Sequence, residues 1–398
     1  MEINVLLLGT MISKSQKDIF MNAGIRPAPA DIAQTYILDG LKSNKEIGLL
    51  EVISSPRIAA YPSSRIMNVK TEDWDEASVH VKTVGFLNFP ILGFVQRAIN
   101  IIQETKRWTR KTKGKKVIIS YSMSTPFLLA MAKAKKIDND LHKAIIVPDL
   151  PMFMGNYGFI KKCLKKIDSR IIDYFRKDVD SYILYTKYMA DALHISSDRW
   201  IVMEGLFDTT RIKPNHELPN SKNKICIYAG SLNPQYAINQ LVDAFERING
   251  NDELHIYGDS SSNESLFELL KKVKKTKYMG MLSSDEMFCE MKKADLLINP
   301  RPSNLELAKY SCPSKTFEYM ASGTAVLMTK LPGIPEEYYK YVYTFDEESE
   351  EGFMRALDYV LSLPRETLRE TGKQAQTFLI NNKSTIKQTE RIIHFVNR

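Results

Sequence analysis

Short apolar runs alternate with amphipathic stretches along most of the chain. The runs Ile3–Leu8, Val117–Tyr121, Ala144–Val147, Ser181–Tyr185, Ile225–Ala229, Glu253–Tyr257, Lys277–Met279, Leu296–Asn299 and Ala325–Thr329 predict strands. Several are apolar throughout, as parallel strands covered on both faces must be. Helical spacing intervenes over Pro126–Lys135, Phe159–Lys177, Ala237–Arg247, Glu264–Lys274, Ser284–Lys293 and Thr316–Ser322. Alternation of this kind predicts α/β architecture with doubly wound sheets. A polar connector from Pro214 to Lys224 divides the pattern. It suggests one domain over residues 1–212 and a second over 223–380. A last helical pattern, Ser384–Val396, is expected to pack back on the first domain.

Ligands of doubly wound sheets sit outside the carboxyl ends of the strands. Gly9 follows the first strand, Gly230 and Ser231 follow Ile225–Ala229, and Gly258 follows Glu253–Tyr257. Glycine at such junctions admits a close backbone approach, or simply a tight turn. Asp149, after Ala144–Val147, suits a base or a hydroxyl ligand, and equally a turn between Pro148 and Pro151. The run Pro313-Ser314-Lys315-Thr316-Phe317-Glu318-Tyr319-Met320-Ala321-Ser322-Gly323 is the most informative. Pro313 suits a helix start, Ser314 offers an N-cap oxygen, and Gly323 suits the stop. Free N–H groups and Lys315 then face a common point, a site for phosphate. Glu318, one turn on, would add an acceptor for sugar hydroxyls. The same run also reads as an ordinary capped helix with an i,i+3 ion pair.

Composition narrows the possibilities. The 398 residues carry 55 Lys and Arg against 47 Asp and Glu, a net charge of +8, which favours an anionic partner. Four scattered cysteines and six histidines lack metal-ligand spacing, so no bound metal is expected. Without GxGxxG after the first strand, a dinucleotide enzyme loses support. No apolar run reaches the roughly 18 residues of a membrane span, and the N-terminus reads as a strand, so a cytoplasmic location is expected. Basic residues concentrate at 106–116, read as a solvated linker around Trp108, and at 159–177, where Lys161, Lys162, Lys165 and Lys166 flank an apolar stripe. The stripe is expected in the core and the lysines at anionic headgroups. Residues 85–95, rich in Phe, Gly and Pro, are read as buried core, with a surface for a lipid chain as the alternative.

Ala294–Pro302 followed by Tyr310–Gly323 resembles the donor-site signature of GT-B glycosyltransferases, and most closely glycosyltransferase family 4 of bacterial capsule and exopolysaccharide clusters. Tyr228–Asn233 with Leu241–Phe245, Leu254–Gly258, Tyr278–Gly280 with Ser284 and Glu286, Thr186–Met189 and Glu204–Asp208 extend the resemblance over about residues 180–335. It implies two Rossmann-like domains facing across a cleft. Glu318 would hold the ribose of a nucleotide-sugar. Ser314, Lys315 and Thr316 would hold the diphosphate, with Gly230 and Ser231 beside it, Gly258 and Arg301 nearby, and Gly9 facing it. Asp149 would lie at the transferred sugar and acceptor hydroxyl, and Asp149 and Lys315 would be the catalytic pair. The implied reaction retains the anomeric configuration without metal or cofactor, and a UDP-sugar is favoured over a GDP-sugar as donor.

The sequence departs from the family at two places. Tyr310 stands where many members carry a second glutamate, with Glu306 and Ser311 as neighbours able to compensate. Ser231 and Gln235 lie where many carry Arg and Lys. The expected function is transfer of a sugar to a lipid-linked or glycan acceptor for a cell-surface polysaccharide, peripherally at the inner membrane face. A nucleotide-sugar epimerase and a non-catalytic partner of another transferase are the alternatives, and a nucleic-acid partner is not expected.

Overall fold

The structure is a computed structural model, and it describes residues 2–25, 29–150, 159–207, 209, 212, 222–259 and 263–398. Most of the expected linker from Pro214, Asp208, Pro151 and the side chains of Lys161, Lys162 and Lys165 lie outside the described residues. The chain forms two compact units, residues 1–206 with 385–398, and residues 207–384.

Unit 1 begins with β1 (Ile3–Gly9), α1 (Lys14–Asn22), α2 (Pro29–Lys42), β2 (Ile47–Ser54), β3 (Asn68–Val69), β4 (Glu72–Glu76), β5 (Val79–Thr83) and β6 (Phe86–Leu87). It continues through α3 (Pro90–Lys111), β7 (Lys116–Tyr121), α4 (Thr125–Lys135), β8 (His142–Val147), α5 (Phe159–Arg176), β9 (Ser181–Leu184), α6 (Tyr188–Leu193) and β10 (Trp200–Val202). Its main sheet runs β10-β9-β8-β7-β1-β2-β5-β4, parallel except for β4. Ile3, Val5, Leu6, Leu7 and Leu8 are fully buried, the two-sided burial that a central parallel strand requires.

Unit 2 contains β11 (Ile225–Ala229), α7 (Ile238–Arg247), β12 (Glu253–Tyr257), α8 (Glu264–Leu270), β13 (Thr276–Gly280), α9 (Ser284–Lys293) and β14 (Leu296–Asn299). Then come α10 (Glu306–Tyr310), α11 (Ser314–Ser322), β15 (Ala325–Met328), β16 (Tyr343–Thr344), α12 (Glu350–Ser362) and α13 (Arg365–Lys383). Its sheet is wholly parallel in the order β13-β12-β11-β14-β15-β16. The winding direction therefore reverses between β11 and β14. Arg365 fastens the start of this sheet. It donates to Asp295 at 2.7 Å and to the Asn223 carbonyl at 2.6 Å, and Asp295 in turn accepts from Ile225 N–H at 2.9 Å. The chain ends in α14 (Thr385–Val396), which packs on α2 in unit 1. Gly40 makes that approach possible, because a Cβ there would lie 2.5 Å from Thr389 Oγ1.

Three expectations change. Residues 106–111 are not a linker: they complete α3, and Trp108 is 4% exposed. An amphipathic helix turns one face inward, and Trp108 shares that face with Ile101 and Thr105. Residues 85–95 are not uniformly core. Phe86 and Gly93 are buried, but Ile91, Leu92, Phe94 and Val95 are exposed. Along α5, Ile172 is buried as the stripe requires, whereas Ile167 is exposed.

Candidate active site

In a doubly wound sheet the crevice lies at the carboxyl ends of the two strands where winding reverses. In unit 2 these are β11, leading into Gly230 and Ser231, and β14, leading into Pro300 and Arg301. Helix α11 is brought to the same place by a buried tyrosine. Tyr319 Oη accepts from the Ala229 N–H at 2.8 Å and donates to the Ala229 carbonyl at 3.1 Å. Lys315 lies one turn earlier on the same helix face. Its Nζ sits 5.4 Å from the centre of the Tyr228 ring, and Tyr228 Oη donates to the Ser231 carbonyl at 2.6 Å.

Gly230 is required by this arrangement. A Cβ at that position would come within 1.2 Å of Lys315 Nζ. Gly258 has a related reason, because its Cβ would meet the Gly230 carbonyl at 2.0 Å. The Gly230 N–H in turn donates to the Tyr257 carbonyl at 2.9 Å, which holds the two strand ends together.

The electrostatics are those of an anion site. Lys315 forms no ion pair within the described residues. Burial lowers its pKa to about 8, Glu318 draws it up, and Arg301 lowers it further. Among the described residues Arg301 Nε is buried without a hydrogen-bond partner, and so is Thr316 Oγ1; the Arg301 guanidinium carbon lies 5.1 Å from the Tyr236 ring centre. Unsatisfied buried donors are costly, and two half-buried cations beside one another repel. A phosphate-bearing ligand relieves both.

The structure thus brings Gly230, Ser231, Gly258, Arg301, Lys315, Thr316 and Glu318 to one end of the unit 2 sheet. Ser314 takes a different place from the expected one. Pro313 occupies the N-cap with extended backbone, Ser314 is the first helical residue, and no side chain caps the helix. Proline fixes the N-cap angle, so the serine is pushed one position inward. Gly323 ends the helix at φ 78°, as its position predicts. Near the Tyr310 departure, Ser311 Oγ lies 3.5 Å from Arg301 Nη2, whereas Glu306 is exposed. Tyr228, Tyr236 and Tyr319 escaped the sequence reading. Aromatics beside a glycine junction look like core until the cations resting on them are placed.

Gly9 and Asp149 belong to unit 1. There the winding reverses between β1 and β7, and Gly9 ends β1. Its immediate neighbour is Gln34, whose Oε1 a Cβ would meet at 2.5 Å and which accepts from Thr10 N–H at 2.7 Å. Asp149 is exposed just beyond β8. Its charge reaches Tyr121 at the end of β7. Burial pushes that phenol up to about 12, a hydrogen bond with Tyr185 opposes this, Asp149 adds to it, and Arg57 opposes it.

Residues 223–362 match the family model described as "Glycosyl transferases group 1". No curated protein matches the chain. Among solved structures, HepE from Anabaena in complex with UDP has a TM-score of 0.63 at 13% identity, covering all of both chains. The apo lipopolysaccharide outer core galactosyltransferase WaaB has a TM-score of 0.63 at 14% identity over 99% of each chain. A trehalose-6-phosphate protein from E. coli bound with UDP-2-fluoro glucose has 0.64 at 9% identity over 99% of each. The chain therefore has the GT-B fold, and over residues 223–362 it is similar to the glycosyl transferases of group 1.

Proposed function

We propose that this protein is a retaining glycosyltransferase that moves a hexose from a nucleotide diphosphate, a UDP-sugar in preference to a GDP-sugar, to a lipid-linked or glycan acceptor of cell-surface polysaccharide synthesis. The observation that carries this reading is Lys315 resting on Gly230, with the charge of Arg301 felt there, where the unit 2 sheet reverses its winding. HepE in complex with UDP and the E. coli protein bound with UDP-2-fluoro glucose support the choice of donor.

In this reading the departing diphosphate gains charge as the glycosidic bond breaks. Lys315, Arg301 and the first-turn N–H groups of α11 face that charge without reorganising. Two fixed cations and a helix N-terminus supply what a divalent ion would, so the chemistry is assigned as metal-independent. Glu318 accepts from the ribose hydroxyls, Ser231, Ser314 and Thr316 donate to phosphate oxygens, and Asp149 is assigned to the acceptor hydroxyl. The site of action is assigned to the cytoplasmic membrane face. Among the described residues no helix is long and apolar enough to cross a membrane.

A panel of UDP- and GDP-sugars read by thermal shift tests the donor. A UDP-sugar should raise Tm, since a ligand that binds only the folded state stabilises it. Glu318→Ala should abolish most of that shift. No shift from any nucleotide-sugar would refute the reading. A shift without turnover, even with acceptor lipids supplied, would favour the non-catalytic partner that Tyr310 keeps in view.

The depressed Lys315 pKa gives a pH signature. Phosphate is already ionised above neutrality, so only the lysine titrates near pH 8. UDP affinity should be flat between about pH 7 and that pH. Above it, affinity should fall by up to about tenfold per pH unit until the pKa of the bound form is reached. Isothermal titration across this range checks the prediction, and Lys315→Ala should remove the slope.

A further inference from the structure

A second pair of cationic side chains lies in unit 1. Arg97, on α3, donates from Nε to Ser55 Oγ at 3.0 Å, and its guanidinium carbon rests 4.9 Å from the Phe86 ring centre. Its pKa is lowered to about 10, chiefly by burial and further by the charge of Arg57. Neither arginine forms an ion pair within the described residues. Arg97 bonds to Ser55, two residues before Arg57, and the charge of Arg57 is felt at Arg97. The loop that bears Ser55 and Arg57 follows β2, next to β1 at the carboxyl edge of the sheet. Arg57 is also close enough to Tyr121 to be felt there together with Asp149.

The surface next to this pair is apolar. Ile91 is 69% exposed, Leu92 53%, Phe94 42% and Val95 47%, all in the first two turns of α3. Phe94 precedes Arg97 by three positions, which puts them side by side on the helix. Hydrogen bonds extend the surface to the neighbouring loop. The Asn88 N–H donates to the Met67 carbonyl at 2.8 Å, and Asn88 Nδ2 donates to the Ala59 and Ile66 carbonyls at 2.8 Å. Phe89 meets the Tyr61 ring edge-on at 5.7 Å, and Met67 is 54% exposed. Two contacts fasten the turn to α3: Leu87 N–H donates to Gln96 Oε1 at 2.8 Å, and Gly93 packs against the Leu87 carbonyl. Side chains of this size leave water for hydrocarbon with a gain of about 1.5–3 kcal/mol each. A cluster of them bordered by two arginines matches an amphiphile with a phosphate head.

We infer that Arg57 and Arg97 hold the phosphate of a lipid-linked phosphate whose hydrocarbon lies on the exposed first turns of α3. Calling this lipid the sugar acceptor rests on the transferase reading; its binding does not. A soluble glycan acceptor would have no use for the apolar surface.

Flotation of the full chain with phosphatidylcholine vesicles, with and without a small fraction of polyprenyl diphosphate, tests the inference. The protein should bind the doped vesicles at least about tenfold better than the plain ones, the worth of one charge-assisted contact. Arg57→Gln and Arg97→Gln should each remove most of that preference. Arg57 is exposed and forms no hydrogen bond within the described residues, so its replacement leaves the fold intact even if Arg97→Gln does not. The pair Leu92→Ser and Phe94→Ser should reduce binding to doped vesicles by a similar factor. Equal binding to both vesicles, or unchanged binding by Arg57→Gln, overturns the inference. A Tm increase with inorganic pyrophosphate that depends on Arg57, without vesicle binding, assigns a free-anion site and overturns it too. Because UDP is assigned to unit 2, each variant should keep the wild-type UDP-induced Tm shift. A wild-type protein that shows the UDP shift but no preference for the doped vesicles refutes the lipid assignment alone, and wild-type vesicle binding without any UDP shift refutes the donor assignment alone.

Discussion

Lys315→Ala should lower turnover of the donor by about 10²–10³-fold, the usual effect of removing one preorganised charge at a departing oxyanion. The loop after β11 carries Ser231 and Gln235 and no cation of its own, so Lys315 bears a large share of the diphosphate charge. Arg301 lies at the same end of the sheet, and its charge lowers the Lys315 pKa. The same substitution should leave the protein at least as stable as before. The half-buried ammonium is held below its ordinary pKa, so its removal relieves a desolvation cost at neutral pH. The linkage has a definite sign. Between about pH 8 and the unfolded lysine pKa, the unfolded chain binds more protons than the folded one, so this group adds stability as pH rises through that window. Steady-state kinetics and thermal unfolding on the same preparation check both halves. Near-normal turnover would remove Lys315 from the chemistry.

Gly230→Val should abolish measurable UDP binding while the protein still folds. The first added carbon falls 1.2 Å from Lys315 Nζ and 3.1 Å from Tyr228 Oη. The lysine is flexible and yields, so the fold survives, but the ammonium leaves the point to which α11 directs it. Affinity should drop by about 10²-fold or more, through loss of a charge-assisted hydrogen bond and obstruction of the space beside β11. Calorimetric titration with UDP measures the loss, and circular dichroism verifies the fold. Tight UDP binding by this variant would place the diphosphate elsewhere.

Much of unit 2 was legible in the sequence because its strands are short, apolar and evenly spaced. Ile225–Ala229, Glu253–Tyr257 and Leu296–Asn299 appear in the structure with the limits that the apolar runs predict. Unit 1 was legible only in part. Helix α2 carries Gly40 in its body, a residue that argues against helix until α14 is seen packed on it. The strand β4 reads Glu-Asp-Trp-Asp-Glu, which no hydrophobic pattern selects. It forms as an antiparallel edge paired with β5, where acidic side chains can remain in water.

The candidate site divides in the same way. The Pro313–Gly323 run states its own local chemistry: a helix start, a lysine in the first turn, a carboxylate one turn on and a glycine stop. Each depends on neighbours within a few residues, so the sequence by itself determined them, apart from the one-residue displacement of the N-cap by Pro313. It also determined that glycine ends the strand facing that helix. Tertiary structure alone decided that Tyr319 hangs α11 from Ala229, 90 residues away, and that Lys315 therefore fills the space a Gly230 side chain would take. It alone decided that the apolar turns at the start of α3 face outward, although their composition reads as core. The reason is physical. Helix and strand periodicity are fixed by bonds between near neighbours. Which cation lacks a partner, and which apolar face lacks a cover, depends on what the rest of the chain brings to that place, and no local pattern records it.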